Sequence, residues 1–120
     1  IHSFNIKNLK KKHPVMKGMP KTWVHIKDEL YERLRGPFEN VQVLASAYAD
    51  PKYGGSGRDV PVIMTINYHR GRIFHTTLGH CKLFSSNAMR CTSFREIIKR
   101  GVLWAGSKSL DNIPKFCPPQ

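Results

Sequence analysis

Val60-Pro61-Val62-Ile63-Met64-Thr65-Ile66-Asn67-Tyr68, then His69-Arg70-Gly71, then Arg72-Ile73-Phe74-His75-Thr76-Thr77-Leu78 reads as two strands joined by a tight reversal. The first arm is apolar on both faces, with Val60, Val62, Met64 and Ile66 set against Ile63, as an interior strand covered on both sides would be. Gly71 helps the chain turn back, and the second arm returns beside the first. Alternation on that arm sends Ile73, His75 and Thr77 to one side and Phe74, Thr76 and Leu78 to the other.

Upstream, Val41 to Ala49 predicts a further strand, separated from the hairpin by a loop from Asp50 to Asp59 that holds Pro51, Gly54, Gly55 and Gly57. Residues 3–9 alternate apolar and polar as a half-buried strand does, and residues 22–27 predict a short extended piece. Between them, His13 to Pro20 is punctuated for turns. Leu30 and Leu34 stand at helical spacing, so Asp28 to Leu34 predicts a turn or two of helix, ended by Gly36-Pro37. Downstream, a polar loop from Gly79 to Asn87 leads into one long helical pattern. Phe94, Ile97, Ile98, Gly101, Val102 and Ala105 make its buried stripe, Ser86 or Asn87 caps its start, and Gly106 stops it. The expectation is an α/β domain over residues 1–106, followed by an extended tail over 107–120.

The length of 120 residues suits one small domain and not two. The chain opens on Ile1 and offers a single long helix for several strands, which suggests that an N-terminal portion lies outside it. No apolar run has the length to span a bilayer, so no membrane partner is expected. The net charge of +12 raises nucleic acid as a partner. The basic residues are dispersed, however, apart from Lys7, Lys10, Lys11 and Lys12 and the tract Arg95, Lys99 and Arg100. No helix-turn-helix, zinc-finger or ribonucleoprotein pattern accompanies them, so the charge reads as solvated surface. Cys81, Cys91 and Cys117 are odd in number and form no Cys-x-x-Cys pair, which argues against a disulfide framework or a zinc knuckle. A reducing compartment such as the cytoplasm fits that usage.

The chemistry-bearing stretch is Phe74-His75-Thr76-Thr77-Leu78-Gly79-His80, where a strand runs out into a loop. Ligand sites of open α/β sheets lie at the carboxyl ends of strands. His75 and His80, with the hydroxyls of Thr76 and Thr77 between them, can act as acid and base, and Gly79 lets the backbone approach a ligand. A divalent metal stays open as a cofactor, but two imidazoles fall short of the three protein ligands that a site needs, so no metal ligands are assigned. The competing reading makes His75 a sheet residue buried beneath the helix of Phe94 and Ile98, and His80 an ordinary loop histidine. Asp28 and Glu29 are either carboxylates of the site or a solvated turn. The Gly54-Gly55-Ser56-Gly57-Arg58 loop is either an anion cradle or a connection or lid. Tyr48 and Tyr53 are candidates for stacking on a sugar, and Trp23 and Trp104 for the core.

Several segments taken in order resemble the ThuA-like (trehalose utilisation) family. They are His13-Pro14-Val15-Met16-Lys17-Gly18-Met19-Pro20, Asp28-Glu29-Leu30-Tyr31, Asn40-Val41-Gln42-Val43-Leu44-Ala45, Pro61-Val62-Ile63-Met64-Thr65, and Gly71 through His80. Ala88-Met89-Arg90-Cys91, Phe94, Arg100-Gly101 and Trp104-Ala105 continue the match. The resemblance implies a flavodoxin-like sandwich of the class I glutamine amidotransferase-like superfamily. This chain would supply its C-terminal part, with the N-terminal half as its structural partner. In glutamine amidotransferases a similar hairpin ends in Phe-His-Pro-Glu. Phe74-His75 is similar, but Thr76-Thr77 replaces Pro-Glu, and no cysteine here sits in a strand–Gly-x-Cys-x-Gly–helix setting, so glutaminase activity is not expected. Cys81 stands where the family continues Gly-His with an acidic residue, which argues against a metal beside His80.

The function implied by the resemblance is catabolism of trehalose or a related disaccharide or keto-sugar, with the reaction unassigned. His75, His80 and Glu29 would be its catalytic groups, and Asp28, Thr76, Thr77 and Gly79 would bind the carbohydrate. The alternatives are a non-catalytic sugar-binding or scaffolding domain of the same fold and, further off, a basic nucleic-acid-binding module.

Overall fold

In β1 (His2–Asn8), Phe4, Ile6 and Asn8 turn inward while Ser3, Asn5 and Lys7 face out, as the alternation predicts. The computed structural model to which this strand belongs describes residues 1–81 and 87–106. The expected tail over 107–120 and the cap at Ser86 lie outside the described residues. Four more strands follow: β2 (Thr22–Asp28), β3 (Val41–Tyr48), β4 (Asp59–Tyr68) and β5 (Gly71–Thr76). They form one sheet in the order β2-β1-β3-β4-β5, and every neighbouring pair is antiparallel. Directions therefore alternate across the sheet. The carboxyl ends of β2, β3 and β5 consequently share one edge, with β2 and β5 at its two extremes.

The interior strand is where the sequence places it. Val62 to Thr65 in β4 and Leu44 to Ala47 in β3 are buried on both faces, and the small residues Ala45, Ser46 and Ala47 let neighbours approach closely. One face is closed by a helix and by the turn-rich segment that contributes Val15, Met16 and Met19 to the core. A short helix, α1 (Asn87–Arg90), precedes the long one, α2 (Thr92–Ala105), whose N-cap is Cys91 rather than Ser86 or Asn87. Phe94, Ile97, Gly101 and Trp104 are the buried stripe of α2. Ile98 and Ala105 are partly buried against the core. Val102, expected on the stripe, is 64% exposed; it follows Gly101 by one residue, which turns it well around the helix. Gly101 is there because a Cβ would stand 2.3 Å from the Phe74 ring, so the helix backbone rests directly on β5.

Two further expectations change. Asp28 to Leu34 is not helical: Leu30, Glu32 and Leu34 are half-buried at alternate positions while Tyr31 and Arg33 are exposed, the pattern of an extended crossing. The segment is drawn out because Asp28 is anchored inward while Glu32 accepts the Ser56 N–H at 3.2 Å beyond it. Arg100 is not part of a solvated basic tract. It is 1% exposed, its Nε donating to Glu96 Oε1 at 2.6 Å and its Nη1 to the carbonyls of Val15 and Lys17. The guanidinium thus ties α2 to the turn segment, as a buried charge requires. Lys7, Lys10, Lys11 and Lys12 are exposed.

Candidate functional site: the Asp28 carboxylate and its two sides

In a regular strand His25 and Asp28, three residues apart, would face opposite ways. Here His2 pairs with Asp28 and Phe4 with His25, so three steps along β2 oppose two along β1. The extra residue makes a β-bulge, which re-aims the side chains after it. Lys27 takes a positive φ of 38°, and its N–H donates to Ser3 Oγ at 3.1 Å. Ile26 and Lys27 both point outward in succession, while His25 and Asp28 both point inward. Both inward residues are fully buried.

Asp28 then acts as a four-way acceptor. Its Oδ2 lies 2.6 Å from His25 Nε2 and accepts the Gly79 N–H at 2.7 Å. Its Oδ1 accepts the N–H groups of Glu29 at 2.8 Å and His80 at 3.0 Å. Gly79 and His80 follow β5, so one carboxylate joins the loop after one edge strand to the end of the other. Burial alone would raise the Asp28 pKa, but His25 and the three backbone donors outweigh it and hold the carboxyl below its ordinary value. Gly79 has φ 102°, and a Cβ there would meet Phe94 Cζ at 2.6 Å. Its smallness lets the chain pass close to the Phe94 ring while its N–H reaches the buried carboxylate.

On the outer side of Asp28 stand Glu29, Tyr31 and His80. His80 Nδ1 is 3.3 Å from Glu29 Oε2, with the side chains 26% and 37% exposed. The Tyr31 hydroxyl donates to Glu29 Oε2 at 2.8 Å and lies 3.5 Å from His80 Nδ1. Hydrogen bonding to Glu29 raises the Tyr31 pKa.

Asp28, Glu29, Gly79 and His80 are thus brought together. His75 is not among them. It is exposed on β5, opposite Met64, neither beneath α2 nor bonded to the cluster among the described residues. The helix covers the Phe74 side of β5, which leaves the His75 side open. Thr76 Oγ1 donates to the Val62 carbonyl at 2.8 Å and accepts the Leu78 N–H, so it shapes the strand exit. Thr77 Oγ1 is buried without a hydrogen-bond partner among the described residues.

The inner side was not legible as a site. His25 is followed, across from Asp28, by Cys91 at the N-cap of α2. Cys91 is 5% exposed, and its Sγ lies 3.0 Å from Ser93 Oγ. Burial works against the thiolate, but the His25 ring, Ser93 and the Phe94 N–H bring the thiol down to about 6. Burial likewise opposes charge on His25, yet Asp28 and Cys91 raise its pKa. The available signals were the strand alternation that turns Trp23 and His25 inward together, and a cysteine one residue before a helix.

Elsewhere, the glycine-rich loop is held in place. Asp50 accepts the Lys52 N–H at 2.8 Å and Glu32 grips Ser56. Tyr53 stacks on His2 at 4.0 Å, and Tyr48 is exposed. Trp23 and Trp104 are buried in the core. Among the described residues no group of three His, Cys, Asp or Glu side chains is placed to hold a metal ion, and no helix is long and apolar enough to cross a membrane.

The fold and these residues can be set against known proteins. The sequence matches the trehalose utilisation (ThuA) family over residues 1–105. No curated protein matches the chain. A crystal structure of a ThuA-like protein from Parabacteroides merdae is similar to it at 43% identity with a TM-score of 0.87, covering 98% of this chain. The chain spans 43% of that protein's length. With a match that takes in every described strand and the whole of α2, the chain belongs to the ThuA, trehalose utilisation, family.

Proposed function

We propose that the chain acts in the catabolism of a carbohydrate, trehalose or a related disaccharide or keto-sugar, with His80 as its acid/base group and Glu29 as the partner of that imidazole. The observation that carries this is the half-exposed Glu29–His80–Tyr31 cluster, whose backbone is pinned by a buried carboxylate. An imidazole oriented by a carboxylate can take and return the proton of a sugar hydroxyl. Tyr31 adds a hydroxyl for hydrogen bonding to the same ligand. In this reading the acid/base role falls to His80 and not to the separate His75. The wider fold in this proposal is the flavodoxin-like sandwich, to which the described sheet and helices would add the C-terminal part. Family membership supports the substrate class, and the clustering of Glu29 with His80 supports the choice of residues.

The test is turnover of trehalose and its oxidised keto forms by the full-length protein. Asp28 holds the backbone N–H of His80 and not its ring, so His80→Gln keeps that anchor. The variant is expected to lose about 10²–10⁴-fold in kcat with little change in melting temperature. Full activity in His80→Gln overturns the assignment. Tight sugar binding without turnover in the unaltered protein instead favours the non-catalytic sugar-binding reading.

A further inference from the structure

A groove apart from the Glu29–His80 cluster opens on the exposed face of the sheet, where β1 runs beside the end of β3. Its volume is about 280 Å³, and its lining includes Ser3, Asn5, Lys7, Tyr48, Asp50 and Tyr53. Strand alternation puts Ser3, Asn5 and Lys7 on this face while Phe4 and Ile6 enter the core. Carrying the β1–β3 register one step beyond Ile6 and Ala47 sets Asn5 opposite Tyr48. All six side chains are exposed except Asp50, which is half-buried. Neither tyrosine has a part in the proton transfer assigned to His80.

The walls of the groove are set before a ligand arrives. Tyr53 lies on a single 3-10 turn capped by Asp50, whose Oδ1 accepts the Lys52 N–H at 2.8 Å. The His2 ring stacks on Tyr53 at 4.0 Å with 13° between the planes, and Lys52 Nζ stands 5.6 Å from the same ring centroid. Tyr53 is therefore a fixed wall, and Tyr48, 48% exposed, is the ring left open for stacking. His2, Asp50 and Tyr53 also line a smaller cavity of about 70 Å³ that reaches Leu30 and Glu32. The groove thus lies beside the segment that carries Glu29 and Tyr31.

The lining decides the class of ligand. Lys7 Nζ donates to both carboxylate oxygens of Asp59 at 3.1 Å, so its charge is already met. Lys7 and Asp50 are opposite in sign, which leaves the lining without a net charge to draw an ion. What remains is an aromatic face flanked by hydroxyl, amide and carboxylate groups, and that suits a ligand with an apolar C–H face and a polar rim. We propose that the groove is a carbohydrate subsite, in which Tyr48 stacks on the C–H face of a neutral pyranose ring while Ser3, Asn5 and Asp50 bond to its hydroxyls. The subsite rests on the carbohydrate reading for its probe and adds to it a place for a sugar unit away from the reacting centre.

The experiment measures the Kd of trehalose for the full-length protein by titration calorimetry, with turnover of His80→Gln read in parallel. Tyr48→Ala is expected to raise Kd about tenfold by removing the stacking face, and Tyr48→Phe, which keeps the ring, to bind within about twofold of the unaltered protein. Asn5→Ala is expected to raise Kd about three- to tenfold, the worth of one hydrogen bond. Tyr68→Ala is the control, because Tyr68 is as open to solvent but lies at the far end of β4. Added salt should leave Kd unchanged for a neutral ligand. Three results overturn the proposal: no binding of trehalose by the unaltered protein, a Kd in Tyr48→Ala and Asn5→Ala equal to that of Tyr68→Ala, or steep weakening by salt. The second of these leaves the His80 assignment standing. Full activity in His80→Gln beside weakened binding in Tyr48→Ala removes that assignment and supports the subsite.

Discussion

Replacing Asp28 with asparagine changes one atom and one charge, and its cost follows from the four groups around the carboxylate. Oδ2 faces His25 Nε2 and the Gly79 N–H, and Oδ1 faces the Glu29 and His80 N–H groups. An amide must put its own donor in place of one oxygen. If it replaces Oδ2, a neutral His25 can accept from it, but the Gly79 N–H is left facing a donor. If it replaces Oδ1, two N–H groups lose their acceptor. A buried donor left unpaired costs about 1–3 kcal/mol, and the remaining bonds fall from charge-assisted to neutral strength, about 1 kcal/mol less for each. Asp28→Asn should therefore lose about 4–6 kcal/mol in the milder arrangement, a large share of the roughly 5–15 kcal/mol that holds a typical domain together. Urea unfolding of the full-length protein reads this as a fall in midpoint at constant slope. Glu29→Gln, on the half-exposed side, should lose no more than about 1 kcal/mol. A loss below about 1 kcal/mol in Asp28→Asn, with the slope unchanged, would refute the view that this carboxylate holds the sheet edge and loop together.

Gly101→Ala should destabilise by about 1–3 kcal/mol through overpacking, even though alanine is the better helix former. The added Cβ would stand 2.3 Å from the Phe74 ring, so thermal melting should show Phe74→Leu recovering part of the loss in the double variant. The pH dependence follows from Asp28. Its folded pKa is depressed, so its contribution is complete above the ordinary carboxylate value of about 3.9 and is lost as pH falls through the lower folded value. Urea midpoints measured from neutral pH downward should fall below about pH 4, and Asp28→Asn should flatten that acid limb.

The strands were legible because their patterns are local. Val60 to Tyr68 announces an interior strand by being apolar on both faces, and the returning arm follows from its turn. The outer half of the site was legible as residues, Asp28, Glu29, Gly79 and His80, but not as an arrangement. Leu30 and Leu34 mimic helical spacing, yet the segment is stretched between the Asp28 anchor and the Glu32–Ser56 contact, which are tertiary constraints. Alternation correctly separates His75 from Phe74, but cannot say which side a helix will cover, and α2 covers the other. His25 and Cys91 escaped for a different reason. They lie 66 residues apart in sequence, and His25 faces the same way as Asp28 only because of the extra residue in β2.

That extra residue gives β2 one position whose presence, and not only its identity, shapes the site. A conservative exchange at Ile26 or Lys27, both on the outer face, would leave the inward side chains where they are. Deleting either residue would restore plain alternation with His25 and Asp28 two positions apart, so both would still face the interior. What would be lost is the bulge itself, with the twist it adds to the strand end and the Lys27 N–H bond to Ser3 Oγ. The carboxylate would then leave the sheet at another angle from the one that brings it to the N–H groups of Gly79 and His80.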